Sequence, residues 1–303
     1  MDILNLFSRL PASTAQGVLW GIMAVGVFIT FRVLDIADLS VDGTFASGGA
    51  VTVMLITGGC PASVAILVAL LAGVLAGLVT GLLHTKLGIP VILAGILTQF
   101  ALYSINLRIM GMKANQAASL KNYGMFFENI KGFLISSRYV PQAIIVSVLF
   151  AAVVIFLLYL YFGTEQGSAV RATGSNPAMS NALGINVNHM KVLALALSNG
   201  IVAMAGGLMT QFQGTADVNM GRGAIVIGLA AIVIGEIICD AIFSKGCEFW
   251  VRLLFVIVGG IIYYYVMTVI LWLKLDANYL KLFTAIIVAI FLSIPYLKKQ
   301  RKG

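Results

Sequence analysis

The stretch from Val170 to Val192 reads VRATGSNPAMSNALGINVNHMKV and is the most clearly polar interlude in the second half of an apolar chain. Asn176 and Pro177 are typical of a helix start, because proline suits the first helical turn. Gly184 is typical of a helix end, since glycine adopts a left-handed backbone without strain. The spacing therefore predicts a short surface helix held between two membrane spans. Its small and apolar side comprises Ala178, Met179, Ala182 and Leu183.

From the residues alone, this segment is equally well interpreted as a structured connection and as a functional element.

The composition of the whole chain indicates the class of protein. Of the 303 residues, 60% are hydrophobic and only 10% are charged, whereas a soluble domain carries about 25% charged residues. We therefore expect a polytopic membrane protein. The formal net charge of +8 favours loops lying beside anionic membrane lipid and gives no indication of nucleic-acid binding.

The apolar segments predict an all-α transmembrane bundle, with residues 1–303 forming a single transmembrane domain. There are about nine segments, within a range of about eight to ten spans, and some are short enough to be broken helices near the centre. A basic C-terminus at 298–302 favours a cytoplasmic end. Counting back from there puts the segment around Arg171 in the cytoplasm and the N-terminus outside. The segments are 15–34, 45–57, 62–83, 91–110, 139–162, 192–211, 224–238, 249–273 and 279–297.

Polar residues inside this apolar pattern mark a second region of interest. Asp35, Asp38 and Asp42 would share one face of a continuous helix, and carboxylates facing lipid would each cost a few kcal/mol. In one interpretation they cap the helix that follows. In the other, a broken helix starts at Asp42 and its free N–H groups hold an anionic group of a substrate. The candidate pathway residues are Asp38, Ser40, Asp42, Gly43, Thr44, Gln99 and Arg222.

No pattern in the chain predicts catalysis. There is no phosphate-cradling GxxxxGK[ST] sequence, no HExxH sequence and no plausible pairing of a nucleophile with a base. The three cysteines, Cys60, Cys239 and Cys247, are scattered and indicate neither a disulfide nor a zinc site. We therefore expect a protein that is not an enzyme and that needs no cofactor and no metal. If ATP drives it, another polypeptide hydrolyses the ATP.

Three motifs resemble a known family. The sequence RATGSNPA starting at Arg171, followed by ALGINV starting at Ala182, resembles the coupling segment of permeases in bacterial ATP-binding cassette (ABC) importers. The similar family includes the branched-chain amino acid and ribose permeases. The resemblance continues at DLSVDG from Asp38 and at GLAAIVIGE from Gly228. The variant DIADLSVDGTF from Asp35 is most similar to a branch associated with tryptophan or tyrosine uptake.

The resemblance implies a function and a set of partners. It implies a multi-pass permease of the bacterial inner membrane, importing a small solute, with an aromatic amino acid favoured. Residues 164–191 would form the cytoplasmic coupling segment that docks on a separate ATPase, and an extracytoplasmic binding protein would deliver the substrate to a dimer of permeases. An ion-coupled secondary transporter is the alternative. The expected coupling residues are Arg171, Gly174, Asn176, Pro177, Ala178, Ala182, Leu183, Gly184 and Ile185.

Overall fold

The computed structural model describes residues 3–118, 140–243 and 247–273, together with six positions between 282 and 293. Most of the expected last span at 279–297, all of the basic residues at 298–302 and most of the polar stretch 111–138 lie outside the described residues. The described chain is nearly all helix, which confirms the predicted all-α class. The helices are α1 (Ile3–Phe28), prolonged by a π-helical turn (Ile29–Val33), α2 (Val41–Thr57), α3 (Ala62–Thr85), α4 (Val91–Ile109), α5 (Val140–Phe162), α6 (Glu165–Ser175), α7 (Pro177–Ala182), α8 (Val187–Gln213), α9 (Ala224–Ile242) and α10 (Phe249–Trp272).

Seven of the described helices are long and apolar enough to cross a membrane: α1 with its π-helical turn, α3, α4, α5, α8, α9 and α10. The apolar helix α2 is shorter than a full crossing. Two three-residue strands, β1 (Asn115–Ala117) and β2 (Thr215–Asp217), pair antiparallel beside the end of α8. This pairing was not predicted, because such short strands leave no period in the sequence.

Small residues let the helices approach closely at the centre of the bundle. Gly73 and Gly77 of α3 lie against the backbone of Asn199 and Leu195 in α8. Gly17 and Gly21 of α1 lie in the same way against α10. In an apolar medium, such close backbone contact is a main source of helix association. The small-residue faces seen in the sequence are therefore packing faces.

The two ends of the bundle differ. One end of the bundle, which we call the α6–α7 end, carries α6 and α7. Helix α10 also starts there, since the guanidinium of Arg171 in α6 lies over the ring of Phe249, the first residue of α10. The β1–β2 end lies at the far end of α8. The start of α1 lies at the β1–β2 end, because the hydroxyl oxygens of Ser13 and Thr268, late in α10, are 2.6 Å apart. The last residue of the π-helical turn, Val33, contacts Gly174 of α6.

One expectation about the cysteines was wrong. Cys239, near the end of α9, forms a disulfide with Cys247, just before α10. The Cα atoms of the two cysteines are 6.4 Å apart, which is within the range for a disulfide. A search for closely spaced cysteine pairs does not find two cysteines that are brought together across a helix end. Cys60 is free.

Candidate transport pathway and coupling element

The chain is not helical between α1 and α2, and Asp38 holds this break in place. The Oδ1 atom of Asp38 accepts hydrogen bonds from the backbone N–H of Ser40 at 2.9 Å and from its hydroxyl at 2.6 Å. The Oδ2 atom accepts one from the side-chain amide of Asn199 at 2.7 Å. Asn199 lies near the middle of α8. The buried carboxyl group of Asp38 therefore fixes the break to the centre of the bundle.

Ser40 and Thr44 belong to the same buried network. The hydroxyl of Thr44 donates to the carbonyl of Ser40 at 3.0 Å. Both side chains are buried, as is that of Asp38. These three predicted pathway residues therefore position the start of α2. None of them lines the cavity of about 420 Å³ that lies between α2 and α4.

Asp42 joins α2 to α9. Its carboxylate accepts hydrogen bonds from the backbone N–H of Gly223 at 2.9 Å and of Ile225 at 3.0 Å, at the start of α9. The capping interpretation predicted a cap on the helix that follows in sequence. The structure corrects that detail, since Asp42 caps a helix in the other half of the chain. A carboxylate favours a helix N-terminus because of the free N–H groups and the helix dipole.

For α9, the idea of free N–H groups waiting for an anionic substrate needs correction. Asp42 accepts from the first N–H groups of α9, so a carboxylate of the protein already occupies that N-terminus. A substrate anion at α9 would need another positive group. At α2, Asp38 accepts from the N–H of Ser40, which precedes the helix, and no side chain of the described residues caps the first turn.

A cavity of about 420 Å³ lies between the start of α2, one side of α4 and the turn at 218–222. It brings together Asp42, Gly43, Gln99 and Arg222 from the predicted set. Sequence reasoning missed other members, although Gln99, Tyr103 and Asn106 have the spacing of one helix face. The lining residues are Asp42, Gly43, Gln99, Phe100, Tyr103, Asn106, Val218, Asn219 and Arg222.

The predicted short helix is present as α7. The side-chain oxygen of Asn176 accepts from the N–H of Met179 at 3.0 Å and caps the start, where Pro177 is the first residue. At the other end Gly184 has a φ of 82°, and the N–H of Ile185 donates to the carbonyl of Ser180 at 3.0 Å. This pattern is a Schellman motif. On the outer side, Ala178, Met179, Ala182 and Leu183 are exposed, and Ile185 is half-buried.

A second helix, α6, attaches α7 to the bundle, and the sequence did not reveal it. Its start is capped by the hydroxyl of Thr164, which accepts from the N–H of Gly167 at 3.3 Å. Arg171 donates to the carbonyl of Phe162 at 2.8 Å. Gly174 packs directly on the carbonyl of Val33. The coupling candidates Arg171 and Gly174 therefore hold α6 against the end of α5 and against the π-helical turn.

An ion pair lies at the same end of the bundle. Arg32, in the π-helical turn, donates to the carboxylate of Glu236 in α9 at 2.7 Å. Arg32 and Glu236 lie far apart in sequence, so local spacing could not reveal the pair. Because the Arg32 side chain is 53% exposed, solvent screens the interaction.

A helical bundle with spanning helices, a central break followed by the shorter helix α2 and a polar cavity beside it defines a multi-pass membrane transport protein. The chain belongs to the family of permease components of branched-chain amino acid transport systems, whose sequence model matches residues 10–293. It is thus a permease component of an ABC-type transport system in the bacterial inner membrane, and a transport component rather than an enzyme.

Individual relatives agree with this family. The chain is 38% identical over 278 residues to a tyrosine transport system permease protein of Clostridioides difficile, covering 92% of this chain and 88% of the relative. It is 30% identical to an uncharacterized protein of Rickettsia prowazekii, covering 92% and 94%. It is 26% identical to a ribose import permease protein of Haemophilus influenzae, covering 73% and 64%. No solved structure gives a significant match.

Proposed function

We propose that the chain imports an aromatic amino acid as the permease subunit of an ABC importer. A separate ATPase docks at the α6–α7 end in the cytoplasm, and an extracytoplasmic binding protein delivers the substrate at the β1–β2 end. The name of the Clostridioides difficile relative supports tyrosine as the substrate. The resemblance of the segment from Asp35 to Phe45 to the tryptophan and tyrosine branch supports the same chemical class.

The observation that carries the proposal is the continuous connection from α7 to the cavity. Helix α7 joins α6, and α6 packs on Val33 through Gly174. The next residues of the chain form the break that Asp38 ties to α8. Beyond the break, Asp42 ties α2 to α9 beside the cavity. A displacement of α7 by an ATPase therefore reaches the cavity through packed backbone.

The outer side of α7 suits a protein partner. Met179 and Leu183 are 60% and 67% exposed on a short helix that both caps hold rigid. Apolar side chains on a preorganised helix are suitable anchors for a cleft in another protein. An ion-coupled secondary transporter shares the broken helices and the cavity, but it has no use for such a helix.

A second copy of the chain is proposed to cover the cavity side of α4. This helix exposes Leu93, Leu97 and Phe100, and the charged residues Asp42 and Arg222 line the cavity beside it. Charges facing lipid cost a few kcal/mol each. A homodimer with this side at its centre would replace lipid by protein and water, leaving membrane lipid on the outer sides.

Copurification with the ATPase tests the docking part of the proposal. The double variant Met179→Glu, Leu183→Glu is expected to retain little of the ATPase through affinity purification of the permease in detergent, because a charged side does not enter an apolar cleft. The control is Met112→Glu, which alters a methionine that is 70% exposed near β1. Equal ATPase recovery with both variants would contradict docking at α7.

A further inference from the structure

The cavity beside α4 is lined by three polar groups that make no hydrogen bond to the described part of the protein. They are the Oδ1 atoms of Asn106 and Asn219 and the guanidinium of Arg222. We propose that the cavity is a binding site for the substrate itself, with Arg222 holding the α-carboxylate, Asn106, Asn219 and Asp42 holding the α-ammonium, and Phe100 and Tyr103 holding an aromatic ring. This proposal rests on the proposed function, because it assigns contacts to the amino acid that the permease moves.

Arg222 supplies the anion-binding part of the site. It lines the cavity. Its backbone N–H donates to the carbonyl of Asn219, but within the described part of the chain its guanidinium makes no hydrogen bond and no ion pair. The neighbouring N–H groups of Gly223 and Ile225 already donate to Asp42. The guanidinium is therefore the positive group left for a ligand at this wall. A guanidinium can bind a carboxylate through two parallel hydrogen bonds.

Two side-chain oxygens supply the cation-binding part. Among the described residues, the buried Oδ1 atoms of Asn106 and Asn219 accept no hydrogen bond. Asn106 is fully buried, and its amide nitrogen is 3.4 Å from the carbonyl of Gly43. A buried amide oxygen without a donor is unfavourable. An α-ammonium group offers three donors, and the carboxylate of Asp42 at the same wall adds the opposite charge.

The aromatic part of the site lies on α4. Phe100 and Tyr103 line the cavity, although their side chains are 71% and 41% exposed. Aromatic rings pair in offset or edge-to-face arrangements that aliphatic side chains do not reproduce. The cavity volume of about 420 Å³ is within the usual range for a small-molecule site, which is about 300–1,000 Å³. The site thus has separate places for the two charges and for the ring.

Direct binding to the purified permease–ATPase complex, without binding protein, tests the proposal. Equilibrium dialysis with labelled tyrosine is expected to show saturable binding that Arg222→Gln weakens by about tenfold or more, as expected for a lost charge-assisted hydrogen bond. The control is Arg108→Gln, which changes an exposed arginine of α4 that does not line the cavity and leaves binding unchanged.

Substrate analogues separate the two charged contacts. Tyramine lacks the carboxylate, so its binding should respond little to Arg222→Gln. The analogue 4-hydroxyphenylpropionate lacks the ammonium, so its binding should respond little to Asn106→Leu, whereas tyrosine binding should weaken. Copurification with the ATPase and the thermal unfolding midpoint report whether the Asn106→Leu variant is folded. Equal weakening of all three compounds by a folded variant would overturn the assigned contacts.

ATP-driven tyrosine uptake by the wild-type transporter, measured in parallel, separates the two proposals. If uptake occurs and tyrosine binding is equal in Arg222→Gln and Arg108→Gln, the binding site is wrong while the importer function stands. Uptake without any saturable binding would also overturn the binding site and leave the importer function standing. If the wild type takes up no amino acid, the proposed function fails, and the binding site fails with it.

Discussion

Replacing Gly174 with alanine is expected to lower ATP-driven uptake by about tenfold or more, while the associated ATPase still hydrolyses ATP. The added methyl group would overlap the carbonyl of Val33, so α6 would have to move away from the end of α1. Overpacking of this kind costs about 1–3 kcal/mol. Because Gly174 joins α6 to the break between α1 and α2, the loss should appear mainly in coupling. Uptake and ATPase activity are measured on the same proteoliposomes.

Gly163→Ala is the matched control, since it makes the same chemical change in the turn between α5 and α6. A methyl group there would come no closer than 3.3 Å to the carbonyl of Leu160. This variant is expected to take up substrate at the wild-type rate. Wild-type uptake by Gly174→Ala would show that the contact between α6 and Val33 does not transmit motion.

Replacing Asp38 with alanine is expected to abolish uptake and to lower the free energy of unfolding by about 3 kcal/mol, because buried donors on Ser40 and Asn199 lose their acceptor. These donors are held by three hydrogen bonds of 2.6–2.9 Å to the carboxyl group. The thermal unfolding midpoint of the purified chain and uptake in proteoliposomes measure the two effects. Asp35→Asn, at an exposed aspartate with a φ of 56°, is the control and should change neither.

An exchange of groups tests whether Asp38 acts through Asn199. In Asp38→Asn, the one remaining side-chain oxygen stays on the two donors of Ser40. The new NH2 group then faces the NH2 group of Asn199, so the hydrogen bond at 2.7 Å loses its acceptor. Adding Asn199→Asp restores a donor opposite an acceptor. The double variant should therefore be more stable than Asp38→Asn alone, although the side chain at 199 no longer donates to the carbonyl of Leu195. A double variant less stable than both single variants would contradict a direct contact.

Features that depend on a few neighbouring residues were predicted well from the sequence. The start of α7 at Asn176 and Pro177 and its end at Gly184 follow from local backbone chemistry. Composition alone was enough to predict a helical membrane bundle, because no soluble core could bury so much apolar surface.

Features that depend on distant parts of the chain were not predictable in the same way. Asn199, which ties Asp38 to α8, lies 161 residues from it, and the partners of Asp42 lie 181 and 183 residues away. The pairing of β1 with β2 and the Arg32–Glu236 pair are also long-range. The cavity residues Asn106 and Asn219 come from separate parts of the chain, so each appeared in the sequence only as an isolated polar residue.

Uptake in proteoliposomes is the most direct test of an importer driven by a separate ATPase. The permease is reconstituted with its candidate ATPase and binding protein, with and without internal ATP, and supplied with labelled tyrosine, tryptophan, leucine or ribose. We expect tyrosine or tryptophan uptake that requires ATP and both partners. Uptake by this chain alone, driven by a proton or sodium gradient, would contradict the ABC importer and identify an ion-coupled transporter instead.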